Sequence, residues 1–416
     1  MTLYYLLLVF TRFHSDPRVG MSLFHAGFVE VTPIKVLGLF TVLAALMVQR
    51  PADAAPRLKN SLGMVFSAFV IFQILELLVF RPPTPSNSIS SLVSLTLLLV
   101  ATRALVNTED RMRKAVRVMI LAYAFGSLWL YKQHFVQHIA RVDGLEQDAN
   151  YEALMLVTAI PLAVWMALYE RGSWWRRIGL VCAGLMAGGV LLTQSRAGLI
   201  AAVVTGVAAV AVSKRKMLAS ALLVMTLALG IVVAPAGMTD RFHSIKFEGA
   251  ASNGDEDSSR THLELWQAGV AMIASNPLTG VGLEQFKEVA PYYNRELLQV
   301  AHRRYIAHNT YIQIAAETGL PVLCLFLALS LTAIMRCREV VVRDTNPSLA
   351  RMASAIQLGL IGYSVAAASV TAEYLTTFWT LVFFSQNLRE IVFAVPVRHP
   401  GRSKELAELA KQSRAA

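Results

Sequence analysis

Residues 178–213 read IGLVCAGLMAGGVLLTQSRAGLIAAVVTGVAAVAVS. Two apolar runs of about 16 residues flank Thr193-Gln194-Ser195-Arg196-Ala197-Gly198, with too few residues between them for an ordinary loop. About 20 apolar residues in a helix cross ~30 Å of hydrocarbon, so the pattern predicts two membrane helices joined at one interface. Runs of this kind recur at Thr32–Val48, Gly63–Phe80, Ile89–Leu105, Val116–Tyr131, Tyr151–Tyr169, Met217–Ala236, Thr310–Met335, Met352–Thr371 and Glu373–Ala394. With Ile178–Thr193 and Gly198–Ser213 they make eleven clear spans of an all-α integral membrane protein. Met1–Phe10 is apolar but half the required length; it lacks the basic start of a signal peptide and is read as a twelfth, N-terminal span.

Composition agrees with this reading. The 416 residues are 55% hydrophobic and 16% charged, with a mean hydropathy of +0.51, whereas soluble domains carry about 25% charged residues. A soluble multidomain enzyme is thereby excluded. The net charge of +11 would point to a polyanion in a soluble chain; in a membrane chain its distribution matters more. Cys182, Cys324 and Cys337 sit in or beside apolar runs without C-x-x-C spacing, which supports neither a zinc site nor a disulfide framework.

Short cytoplasmic loops collect Lys and Arg. One alternating set of loops holds Arg50, Arg57, Lys59, Arg111, Arg113, Lys114, Arg117, Arg171, Arg176, Arg177, Lys214, Arg215, Lys216, Arg336, Arg338, Arg343 and Arg351. The tail adds Arg398, Arg402, Lys404, Lys411 and Arg414, while the opposite short loops hold only Arg12, Arg18, Arg81, Lys132, Arg141 and Arg196. Both termini are therefore expected in the cytoplasm, with the hairpin at Arg196 on the outer face. Four regions follow: a transmembrane bundle over 1–236, an outer segment over 237–309, membrane helices over 310–394 and a basic cytoplasmic tail over 395–416.

Within the outer segment, Phe247–Ser259 reads as a loop. A surface helix is expected over Arg260–Ser275, with Leu263, Trp266, Val270 and Ile273 as its apolar stripe, and a second over Glu284–Arg304 after the Asn276-Pro277 and Gly280-Val281-Gly282 breaks. Arg196 at the mouth of a bundle is costly to desolvate unless an anion meets it, and snorkelling to the interface is the competing reading. Arg260 opens the expected helix behind Ser258-Ser259, where a cation opposes the helix dipole unless an anion is shared; a simple solvated arginine is the alternative. His308 stands where the chain re-enters the membrane, on one expected helical face with Tyr311, Ile312 and Ala315, and suits either a general base or a hydrogen-bonding cap. Arg303 and Arg304 either add phosphate contacts or anchor the segment to anionic headgroups. Asp255-Glu256-Asp257 matches a D-x-D metal motif but lacks an apolar flank, and His134 with His138 lacks a carboxylate partner, so no metal is assigned. Asp16, Arg18, Lys132, Arg141, Asp148 and Asn150 lie on outer loops, and nothing in the sequence ranks them.

This layout resembles the O-antigen ligase and O-antigen polymerase superfamily. The likeness rests on Ser195-Arg196-Ala197-Gly198, on Arg260 with Trp266, on the turn Asn276-Pro277-Leu278-Thr279-Gly280-Val281-Gly282, and on His308-Asn309-Thr310-Tyr311 followed by Glu317 and Gly319. The resemblance implies a GT-C-like membrane glycosyltransferase of the bacterial inner membrane whose site faces the periplasm. It implies a glycan on undecaprenyl diphosphate as donor, a lipid A-core sugar as acceptor in the ligase branch, and no cofactor or nucleic acid. By motif, Arg196 and Arg260 hold the diphosphate and His308 activates the acceptor, with Ser195, Asn309, Tyr311, Arg303, Arg304 and Glu317 as possible supporting residues. A ligase, acting as a monomer among membrane lipids, is the first expectation. A polymerase joining lipid-linked repeat units of O-antigen or exopolysaccharide comes second, and a protein O-glycosylation ligase third. A polysaccharide transporter or flippase is the non-enzyme rival, but it calls for ionisable groups at mid-membrane, where only Glu76 stands out.

The charge asymmetry makes a direct prediction. Alkaline phosphatase fused after Asn276 is active in intact cells, and fusions after Lys216 or Pro347 are inactive; the reverse pattern refutes the orientation.

Overall fold

A computed structural model describes residues 1–13, 23–26, 29–47, 61–80, 86–233, 254–300, 306–343 and 346–394. In chain order the helices are α1 (Thr2–Arg12), α2 (Pro33–Met47), α3 (Ser61–Phe80), α4 (Ser86–Leu105), α5 (Glu109–Tyr131), α6 (Ala149–Tyr169), α7 (Ser173–Thr193), α8 (Arg196–Val212) and α9 (Lys216–Val233). They continue as α10 (Gly254–Ser275), α11 (Phe286–Tyr293), α12 (Thr310–Arg343), α13 (Pro347–Ala366) and α14 (Thr376–Ala394). A two-stranded antiparallel hairpin, β1 (Phe24–Ala26) with β2 (Val29–Val31), precedes α2.

Each of the eleven apolar runs coincides with a helix. Among the described residues, six helical segments are long and apolar enough to cross a membrane: α3, α4 from Ser88, α6, α7, α12, and α13 extended to Ser369. α1, α2 and α8 are apolar but shorter. The expected N-terminal span is not formed at full length, since the 11 residues of α1 rise only about 16 Å at 1.5 Å each.

The bundle centres on α6, which packs against α7, α13, α8 and α5; 72% of an apolar 18-residue stretch of α6 is buried, against 39% in the corresponding stretches of α3, α7 and α12. A neighbouring aromatic cluster joins α3, α12, α13 and α14: Phe66 lies 5.3 Å from Trp379, Phe326 5.3 Å from Phe378, and Tyr363 4.2 Å from Phe378. Large apolar side chains such as Leu46, Met64, Leu78 and Leu180 remain exposed, as lipid-facing surfaces require.

The alternation of loops is visible at both ends of the bundle. At one end the α4–α5, α6–α7 and α12–α13 connections meet around Arg113, which pairs with Glu109 at 2.8 Å and Glu170 at 3.0 Å and donates to Ser348 Oγ at 2.7 Å. Asn346 Nδ2 donates to Glu109 Oε2 at 3.1 Å. The other end holds the α7–α8 hairpin, the segment between α9 and α12, and the α13–α14 connection, where Thr310 Oγ1 donates to the Val370 carbonyl at 2.6 Å.

Arg12, expected in a polar outer stretch, is instead the last residue of α1 and wholly enclosed. Its guanidinium pairs with Glu146 at 3.2 Å and with Glu152 of α6, and lies 5.3 Å from the Tyr123 ring centroid. Removing one member of a buried ion cluster leaves uncompensated charge and costs about 3–5 kcal/mol. Arg12→Ala should therefore lower the thermal midpoint of the purified protein in detergent by several degrees, measured against the surface control Lys114→Ala.

Candidate functional site

The α7–α8 hairpin is built by local hydrogen bonds. Gln194 takes a left-handed conformation (φ 49, ψ 30) that ends α7, and its Nε2 donates to the Ala140 carbonyl at 2.8 Å. Ser195 caps α8: its Oγ accepts the Gly198 amide at 3.1 Å and donates to Asn150 Oδ1 at 2.7 Å. Arg196 is thus the first residue of α8 and is half-buried. Among the described residues its guanidinium makes no hydrogen bond or ion pair. A cation at a helix N-terminus opposes the dipole, so the position favours a shared anion.

Against α12 stands α10. It begins at Gly254 rather than Arg260, because Asp255-Glu256-Asp257 fall in its first turn, where acidic residues complement the dipole. The expected loop up to Ser259 is therefore partly helix, Ser258-Ser259 are not its cap, and Arg260 is the seventh helical residue. The Arg260 side chain lies outside the described residues, as do Arg303, Arg304, Asp16 and Arg18 entirely. Two turns of α10 hold the re-entry loop: Trp266 Nε1 donates to the Ala307 carbonyl at 2.9 Å, and His262 stacks on His308 with ring centroids 4.4 Å apart and planes 10° from parallel.

His308 does not share a helical face with Tyr311, because α12 starts at Thr310. Asn309 caps it, with Oδ1 accepting the amides of Tyr311 at 3.0 Å and Ile312 at 3.1 Å. His308 precedes that cap in a left-handed conformation (φ 46), an uncommon state for a side-chain-bearing residue that surrounding contacts must hold. Burial holds the His308 imidazole below its ordinary basicity, with Asp148 acting in the opposite sense. Burial, followed by His308 and then Arg196, lowers His262 against the opposing effect of Asp148, to about 4 in all. Arg196, Asp148, His262 and His308 therefore share one electrostatic environment, in which both rings are neutral near pH 7.

Residues 181–327 match a family model described as O-antigen ligase. That stretch belongs to the O-antigen ligase superfamily. No curated protein matches the chain. The ligase stretch contains Arg196, Arg260 and His308 and runs into α12. Members of the family are membrane enzymes resembling glycosyltransferases, working in general on lipid-linked glycans and lipid A-core.

Within the ligase stretch, the turn 276–282 is fastened to a break in α12. Gly319 departs from helix (φ 78, ψ 171) and Pro321 has no amide hydrogen, which frees the carbonyls of Ala316 and Glu317 and the amide of Leu320. The turn takes all three: Val281 N–H donates to Ala316 O at 2.9 Å, Gly282 N–H to Glu317 O at 2.9 Å, and Leu320 N–H to Pro277 O at 2.8 Å. The Glu317 carboxylate accepts from the Phe286 amide at 3.1 Å and from Gln313 Nε2 at 2.8 Å, and Gln313 Oε1 accepts the Ala307 amide at 2.8 Å. Tyr311 Oη donates to the Ser364 carbonyl at 2.6 Å. Glu317 and Tyr311 thus secure the frame around His308. Over the described residues the expected helix Glu284–Arg304 is divided into α11 and a 3₁₀ turn, Arg295–Val300, because extended Asn294 interrupts it and accepts the Glu296 amide at 3.1 Å; residues 301–304 lie outside the described residues.

The residue that sequence reading missed is His262, while Asp148 is among the outer-loop residues that the sequence names without ranking. His262 lies one turn before Trp266 on α10. Asp148 caps α6, its Oδ1 accepting the amides of Asn150 and Tyr151 at 2.7 and 3.1 Å. His134, weighed as a metal ligand, points Nδ1 at the Ile139 carbonyl 3.1 Å away. The joint at the turn is sterically exact in its demand for glycine at 280, which has φ 63 and would place a Cβ 2.4 Å from the Glu317 carbonyl. Gly280→Ala should speed proteolysis between α10 and α12 in membrane vesicles and depress activity, while Leu278→Ala, at an exposed position of the same turn, leaves both unchanged.

Proposed function

We propose that this chain is an O-antigen ligase, an inverting glycosyltransferase that moves a glycan from undecaprenyl diphosphate to a hydroxyl of a lipid A-core sugar. The observation that supports the reading is that His308 stacks on His262, a residue whose basicity Arg196 also lowers, so that residues from distant parts of the ligase stretch act on one ring. A sugar–diphosphate bond is already activated, so catalysis needs alignment and charge neutralisation more than covalent chemistry. Arg196, with Arg260, takes the diphosphate, for which a fork of N–H donors is well shaped. Neutral His308 accepts the acceptor hydroxyl's proton as its oxygen bonds to the anomeric carbon, and the bond to the diphosphate breaks with its electron pair leaving on the phosphate oxygen. Attack opposite the leaving group inverts the anomeric centre. Two guanidinium groups balance the leaving charge, so the reaction is proposed to need no metal and no cofactor.

The same reading sets the chain in the bacterial inner membrane as a multi-pass monomer. Both termini are cytoplasmic, the end bearing Arg196 and His308 faces the periplasm, and Arg303 and Arg304 approach the donor or anionic headgroups.

Arg196→Ala, Arg260→Ala and His308→Ala, expressed in a strain lacking its own ligase, should each abolish capped lipopolysaccharide on gels at wild-type protein levels. Normal capping in all three removes the catalytic assignment, and core bearing a single repeat unit identifies a polymerase instead. Transfer in vesicles should survive excess chelator. It should fall as the medium is acidified through the His308 pKa, because the protonated ring accepts no further proton.

A further inference from the structure

We infer that His262 is a positioning residue for His308: its ring, lying flat against that of His308, fixes the plane of the reacting imidazole and keeps water from one of its faces. The inference rests on the proposed role of His308 as general base and adds a residue that the motif comparison leaves unassigned. Three observations carry it. First, the contact is a parallel stack, 4.4 Å between centroids and 10° between planes, and parallel rings at that separation hold each other through their faces, leaving their in-plane nitrogens for other partners. Second, the contact is one of a set. Trp266, one turn further along α10, holds the carbonyl of Ala307, and Gln313 of α12 holds the Ala307 amide. The backbone beside His308 is thus gripped from both elements while His262 grips the ring, which keeps a left-handed residue from relaxing.

Third, the electrostatics divide the labour between the rings. The described charged groups acting on the pair are Asp148, from the cap of α6, and Arg196, from the start of α8. Two imidazolium rings this close repel, so the pair takes one proton. Asp148 favours that proton on either ring, and Arg196 opposes it on His262 alone. The proton therefore goes to His308, and His262 stays neutral throughout the reaction.

The test uses the full chain in proteoliposomes with His262→Phe, which keeps a flat buried ring, and His262→Ala, which removes it. Two quantities are read: the pH–rate profile of transfer, and the pH midpoint of His308 modification by diethyl pyrocarbonate, followed by peptide mass. His262→Phe should keep kcat close to wild type with an unmoved acid limb. His262→Ala should lose roughly tenfold or more in kcat with little change in KM, as misplacement of a catalytic group does, and both its acid limb and the His308 midpoint should move to higher pH as water returns. Wild-type kcat and midpoint in both variants overturn the inference. So does an equal loss in both with an unmoved midpoint at wild-type protein levels, which would make His262 merely structural. Should His308→Ala remain active, the general-base reading fails, while the midpoint in His262→Ala still decides by itself whether His262 governs the His308 ring.

Discussion

A helix that breaks inside a packed bundle must find partners for the amide groups it releases, because a buried polar group left unpaired is costly. In this chain Gly319 and Pro321 interrupt α12 and release two carbonyls and one amide, and the turn 276–282 supplies the missing partners one for one. The arrangement of the outer segment follows from that joint. With the turn fastened to α12, α10 is held over the start of the same helix, and its successive turns reach Ala307 and His308. The histidine is thereby placed by a defect in a membrane helix rather than by the regular part of any element.

Much of this architecture was legible in the sequence. Eleven apolar runs correspond to helices, the re-entry at His308-Asn309-Thr310 marks the start of α12, and Gly280-Val281-Gly282 is a turn. Hydropathy and local turn chemistry carry such information because they depend on neighbours within a few residues. The misreadings have the same origin. The start of α10 was taken from Ser258-Ser259 and Arg260, although three acidic residues just upstream complement a helix dipole equally well. His308 was assigned to the face of a helix that its own left-handed backbone excludes.

What the sequence does not disclose are pairings across long stretches of chain. Arg12 meets Glu152 across 140 residues, and Ser195 meets Asn150 across 45. No periodicity encodes either contact. Arg12, Asp148 and Asn150 look alike in the sequence, all polar groups in stretches read as outer loops, and only the packing of α1, α6 and α8 separates a buried structural cation from residues beside the hairpin. Likewise His262 is one of nine histidines, singled out only once α10 and the re-entry loop are seen together.

The joint between the turn and α12 is made of main-chain groups, and this bears on how such a protein changes over generations. Hydrogen bonds between amides are indifferent to side-chain identity, so exposed positions of the turn such as Leu278 are open to substitution without disturbing the joint. The burden falls on two glycines, Gly280 and Gly319, where a methyl group would enter the opposing backbone. A segment held in this way can diversify its exposed surface while the histidine beneath keeps its place.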